Sequence, residues 1–193
     1  MSNVKKMTKT DILKVQNKWA DAVIHIGRAF KQKEDYVEVA HLLIAELYAY
    51  EFSNVLFKPT KASEEQFRNT KEKALSYFIA SNGKCDEDKG FALQPWKEIR
   101  FENTDMILGA ETSQCMGNYY FTDYNGEEIK VEYTFGYIRD EDGLLKINIH
   151  HSSLPFFQET PVIEASVESN PSVTMWAIGP SLQTTVMFFS YLE

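Results

Sequence analysis

Four histidines and two cysteines are the natural place to look for chemistry in this sequence: His25, His41, His150, His151, Cys85 and Cys115. A tetrahedral zinc site needs three or four ligands converging at about 2.0–2.3 Å, whereas successive strand residues point to opposite faces, so His150 and His151 do not chelate one ion together. His25 and His41 fall in separate helical stretches, and neither H-x-H nor H-E-x-x-H spacing occurs. The cysteines stand 30 positions apart without a C-x-x-C partner, which predicts reduced thiols rather than a zinc knuckle or a disulfide framework. Asp86, Glu87 and Asp88 lack the remaining spacing of a calcium loop. No metal and no cofactor is therefore expected. Lys58, Lys61, Arg100 and Lys130 are able to bias a local pocket toward a small anion, although solvated surface charge is the commoner fate of such residues.

Around these residues the apolar spacing sets out the elements. Ile12, Val15, Trp19, Val23, Ile26 and Phe30 recur at helical steps after Thr10 or Asp11 as N-cap. A second helix spans about Asp35 to Glu51, and Ser63 with Gln66 has capping-box spacing for a third that carries Phe67, Leu75 and Phe78 and stops near 81–83. The period then changes to two. Strands are predicted around Trp96–Leu108, Gln114–Thr122, Lys130–Arg139 and Leu144–Ser153, with Asn125-Gly126 and Asp142-Gly143 as hairpin turns. Helices followed by an antiparallel meander define an α+β fold, and a curved sheet wrapped on helices leaves a pocket at its concave face.

The 193 residues suit one domain, and 44% hydrophobic with 25% charged residues is the balance of a globular protein. A formal net charge of −8 argues against nucleic acid and anionic membrane surfaces as partners. Neither a signal peptide nor a run of about 18–20 apolar residues is evident, so a cytoplasmic protein is expected. After Pro155 the chain turns polar and then Pro- and Gly-interrupted, which sets a domain over residues 1–157 apart from a C-terminal extension over 158–193.

Several separated motifs resemble iota-class, metal-independent carbonic anhydrases of algae and bacteria. They are Leu56-Phe57-Lys58-Pro59-Thr60-Lys61, Ala74-Leu75-Ser76-Tyr77-Phe78, Asp88-Lys89-Gly90-Phe91-Ala92, Lys130 to Tyr137, and His150-His151-Ser152-Ser153-Leu154-Pro155. The ending is also similar to the last strand of calmodulin-dependent kinase II association domains, which are assembly hubs without catalysis. The resemblance implies the cone-shaped fold of nuclear-transport-factor-2-like proteins, a homodimer, and reversible hydration of carbon dioxide. The hub remains the alternative function.

The resemblance further implies a carbon dioxide or bicarbonate site lined by Thr60, Tyr77 and Ser153, with Ser152 and His150 as further substrate-binding candidates. Strand alternation puts Ile149, His151 and Ser153 on one face and Asn148, His150 and Ser152 on the other. By analogy with the kinase association domain, the His151 and Ser153 face is expected to line the pocket. Read on their own, Tyr77 is a core tyrosine, Thr60 is turn chemistry after Pro59, and both serines satisfy backbone groups.

Without zinc, the reaction lacks the fall in water pKa from about 15.7 to about 7, roughly 12 kcal/mol of help in making hydroxide. The expected route is a concerted one, in which a positioned water attacks while its proton leaves to His151 or a carboxylate and hydroxyl donors stabilise the new charge.

Overall fold

The computed structural model describes residues 5–80 and 83–157. Residues 158–193, which the sequence sets apart as a C-terminal extension, lie outside the described residues.

Helix α1, Lys9–Gln32, opens on a capping box in which the Thr8 hydroxyl accepts the Asp11 N–H and the Asp11 carboxylate accepts the Thr8 N–H. The cap is thus two residues earlier than Thr10. Helix α2, Tyr36–Leu47, starts at Asp35 as expected. Strand β1, Leu56–Lys58, follows, and α3 covers only Lys71–Ile79 behind Thr70. The helix expected from Ser63 does not form. Glu87 explains this: its carboxylate takes the N–H groups of Ser63, Glu64 and Glu65 and the Ser63 hydroxyl, at 2.7–3.1 Å. The backbone donors of that first turn therefore face an anion held from another part of the chain.

Four long strands complete the fold: β2 Trp96–Leu108, β3 Thr112–Asp123, β4 Glu128–Arg139 and β5 Leu145–Ser153. Gly126 and Gly143 both adopt positive φ in the two hairpins, where Asp123 and Asp140 accept N–H groups two and four residues ahead. The sheet order is β1-β5-β4-β3-β2, antiparallel except that β1 runs parallel to β5. This edge strand is not among the four that the alternation predicts.

Bulges at Asn103–Asp105 in β2 and around Asn148 in β5 bend the sheet. Gly117 allows the first, since a Cβ there would stand 2.0 Å from the Glu102 carbonyl oxygen. The three helices pack on one sheet face. Trp19 of α1 is the centre of that layer, with its ring edge-on to Phe78, Phe101, Tyr119, Phe121, Phe135 and His150 at 5.5–6.4 Å. The sheet's other face carries Ile107 and Met116 exposed.

Candidate active site

The strand end that carries both histidines and both serines is phased by its neighbours. On β4, the inward residues Tyr133, Phe135 and Tyr137 pair with Ser152, His150 and Ile147, and the register skips Asn148. That extra residue reverses the alternation between Ile147 and His150. His150 and Ser152 are consequently buried on the helix-facing side, at 2% and 3% exposure, while His151 is exposed and Ser153 donates to Glu132 at 3.4 Å. The expectation that His151 and Ser153 line the inner pocket is reversed. Both stand on the opposite face, beside an open depression of about 350 Å3 that also takes in Met116, Gly117, Tyr133 and Thr134.

The parallel pairing of β1 with β5 brings the next residue into place. Phe57 lies opposite His150 and Lys58 opposite His151, so the chain leaves β1 through Pro59 and sets Thr60 beside Ser152. The Thr60 hydroxyl donates to Ser152 Oγ at 2.9 Å, and Lys58 Nζ donates to the Ser152 carbonyl at 3.3 Å. Tyr119 of β3 joins them. Burial pushes its phenol well above the ordinary range, while the neighbouring Ser152 and Thr60 hydroxyls pull the other way.

Tyr77, inward on α3, is enclosed by Phe57 edge-on at 5.8 Å and Phe91 stacked at 5.4 Å. Burial raises its pKa as well, opposed by the Lys61 backbone N–H that faces the hydroxyl. Both tyrosines are therefore neutral phenols at any ordinary pH, able to donate or accept a hydrogen bond but not to act as bases.

A buried ion pair stands beside Tyr77. Arg68 Nη2 meets Asp88 at 2.7 Å and Glu87 at 3.4 Å, and the guanidinium stands 6.0 Å from the centre of the Tyr77 ring. Burial works against the Glu87 charge, but the N–H groups of Ser63, Glu64 and Glu65 outweigh it and bring the carboxyl down to about 2. Glu87 and Asp88 thus anchor the segment ahead of α3. Among the described residues, no three His, Cys, Asp or Glu side chains gather as metal ligands.

His150 fills the middle of the aromatic layer. Its ring stacks on Phe57 at 4.4 Å and meets Phe135 edge-on at 4.3 Å, and Nδ1 lies 2.8 Å from the Tyr48 hydroxyl, which accepts from Trp19 Nε1 at 2.9 Å. Burial, and secondarily the neighbouring His151, holds its pKa well below the usual imidazole value. Thr60, Tyr77, Ser152 and His150 are therefore brought to one side of the sheet, and His151 and Ser153 are not. Tyr119, Tyr48, Trp19 and Arg68 complete the surroundings. Sequence offered little to mark these four, since an inward aromatic or a surface-looking arginine carries no distinguishing spacing.

Residues 10–154 match the family of metal-independent carbonic anhydrases. The chain belongs to that family. A metal-independent carbonic anhydrase from Nostoc sp. is 37% identical over 155 residues, which are 79% of this chain and 76% of the relative. The crystal structure of a cyanobacterial iota-carbonic anhydrase complexed with bicarbonate aligns with a TM-score of 0.76 at 35% identity, over 79% of this chain and 94% of that one. A calcium/calmodulin-dependent protein kinase II association domain from Xanthomonas campestris shares the fold, at TM-score 0.53 and 23% identity over 75% of this chain and 85% of that one. This carbonic anhydrase thus has the nuclear-transport-factor-2-like architecture with a hydroxyl-rich inner cluster at the end of its last strand.

Proposed function

We propose that this metal-independent carbonic anhydrase carries out the hydration of carbon dioxide to bicarbonate at the cluster formed by Thr60, Tyr77, Tyr119, His150 and Ser152. The observation that carries the reading is the 2.9 Å contact in which Thr60 donates to Ser152. With Thr60 as donor, the Ser152 hydroxyl keeps its own proton for an acceptor outside the pair. In the reaction that acceptor is the carbon dioxide oxygen on which charge develops. The water oxygen forms the new bond to carbon, one C=O electron pair moves onto the oxygen facing Ser152, and the proton of the water passes to solvent on the partly exposed Thr60 side. No free hydroxide is formed, which avoids the cost that zinc otherwise offsets. Tyr77 and Tyr119, buried at 5% and 2% exposure, shield the cluster from water on the helix-facing side.

His151 takes no part in this reading, because it lies across the sheet from the cluster. The bicarbonate bound to the cyanobacterial iota-carbonic anhydrase supports the substrate assignment by relation. The outer sheet face, with its depression and exposed Met116 and Ile107, suits a homodimer, and the two free, buried cysteines suit a reducing cytoplasm. No helix among the described residues is long and apolar enough to cross a membrane.

Stopped-flow hydration of carbon dioxide on chelator-treated, metal-analysed protein tests the site. Ser152→Ala is expected to lose about 100-fold in kcat/KM, the worth of one oxyanion donor. A wild type silent without added zinc, or an equal loss in Ser153→Ala, overturns it.

A further inference from the structure

The proton inventory of three buried side chains determines the state of His150. Trp19 Nε1 is only ever a donor, and it donates to the Tyr48 oxygen at 2.9 Å. Tyr48 then has one proton of its own, and its remaining polar contact is His150 Nδ1 at 2.8 Å. If Tyr48 donates that proton, the Trp19 and Tyr48 hydrogens both have acceptors, Nδ1 is a bare lone pair, and Nε2–H is the single unmet group. The reverse arrangement has His150 Nδ1–H and Trp19 both donating to one oxygen, which strands the Tyr48 proton in the core and leaves Nε2 as a second unmet group. Nε2 sits on the far side of the ring from Nδ1. It is buried and has no hydrogen-bond partner among the described residues.

Resting on the site assignment above, we propose that Trp19 and Tyr48 hold His150 as the neutral Nε2–H tautomer, so that His150 is a hydrogen-bond donor to a bicarbonate oxygen and not the proton acceptor. His150 lies one inward position before Ser152 on β5, about 7 Å along the strand. The strand thus presents two donors in succession, Nε2–H and the Ser152 hydroxyl, toward the oxygens of one small anion. Tyr48 and Trp19 are positioning residues in this scheme. They touch no substrate, and they act by denying Nδ1 a proton. Phe57 stacked on the ring and Phe135 at its edge prevent the flip that would exchange the two nitrogens. An Nε2–H with no partner among the described residues is the state of a donor that waits for its ligand, and burial keeps the ring from taking a second proton.

The test is a long-range 1H–15N correlation spectrum of the full chain labelled at histidine, with His150 assigned by its loss in His150→Gln. The expected result is a protonated Nε2 and an unprotonated Nδ1, with the Nε2 resonance alone moving when bicarbonate is added. Tyr48→Phe removes the donor to Nδ1; a mixture of tautomers and about a tenfold weaker bicarbonate titration are expected, with the fold checked by circular dichroism. A protonated Nδ1 in the wild type, or an Nε2 signal indifferent to saturating bicarbonate, overturns the proposal. These spectra are independent of turnover. An Nε2–H donor that responds to bicarbonate in a protein without hydratase activity sinks the catalytic reading and leaves this one standing, while turnover with Nδ1 protonated does the opposite.

Discussion

The hydroxyls of Thr60 and Ser152 meet at 2.9 Å although 92 positions separate them in the chain. The contact depends on β1 running parallel to the last strand, because only that pairing lets the residue two places after Lys58 lie beside the strand's inward serine. Two alcohols joined in this way act as one donor unit, the first orienting the second.

A double-mutant cycle should report that unity. Thr60→Ala and Ser152→Ala are each expected to lower kcat/KM by about 10- to 100-fold, with the double variant no more than about threefold worse than the weaker single. Additive losses in stopped-flow hydration would mean that the two hydroxyls serve separate steps.

The outer face should be silent in catalysis. His151→Ala and Ser153→Ala are expected to keep kcat/KM within about threefold of the wild type, as surface changes away from a site do. A loss of rate with a shifted pH profile in His151→Ala would restore that residue as the proton acceptor.

Burial of neutral His150 has a stability signature. Its folded pKa lies below the unfolded value near 6.5, through burial first and the His151 charge second, so the unfolded chain binds the extra proton. Stability therefore rises with pH, and as pH falls below about 6.5 the wild type should lose roughly 1.4 kcal/mol per pH unit that a His150→Phe variant does not lose. Tyr48 and His151, the titratable neighbours, remain in both proteins. Urea unfolding at pH 7, 6 and 5 measures the difference in slope.

Arg68 is the charge the fold can least spare. Its side chain is fully buried against Asp88, itself 1% exposed, so Arg68→Met leaves an unpaired buried carboxylate and is expected to cost about 3–5 kcal/mol in urea unfolding. Arg68→Met together with Asp88→Leu should recover much of that stability. Activity should stay impaired, because Glu87, which gathers the Ser63, Glu64 and Glu65 N–H groups, has lost its Arg68 partner.

Lowering pH should loosen the same segment. Glu87 contributes stability above about 4.5 that is lost as pH falls toward its folded value of about 2, since its charge is what gathers the Ser63, Glu64 and Glu65 N–H groups. Proteolysis or amide exchange across residues 60–70 should rise in that window, and should already be high at pH 7 in Glu87→Gln.

What the sequence determined by itself was local. Helical spacing around Trp19, the Asp35 cap, two-residue alternation along four strands and the Asn-Gly and Asp-Gly turns each depend on a few neighbouring residues, and all reappear in the fold. The family motifs likewise named Thr60, Tyr77 and the His-His-Ser-Ser run. Alternation also tied His150 to Ser152 and His151 to Ser153. Which pair faces the helices was a different matter. Counting by twos from inward Ile147 leads to Ile149, His151 and Ser153, and only the skipped Asn148 in the pairing with β4 turns the other pair inward. A bulge is a property of two strands in register, so one strand's residues do not announce it. The same holds for the third helix: Ser63 and Gln66 have the right spacing, but a carboxylate from 24 residues further on claims the N–H groups first. Tertiary structure decided the site because its partners arrive from distant segments, and the energy of those meetings exceeds any local preference they displace.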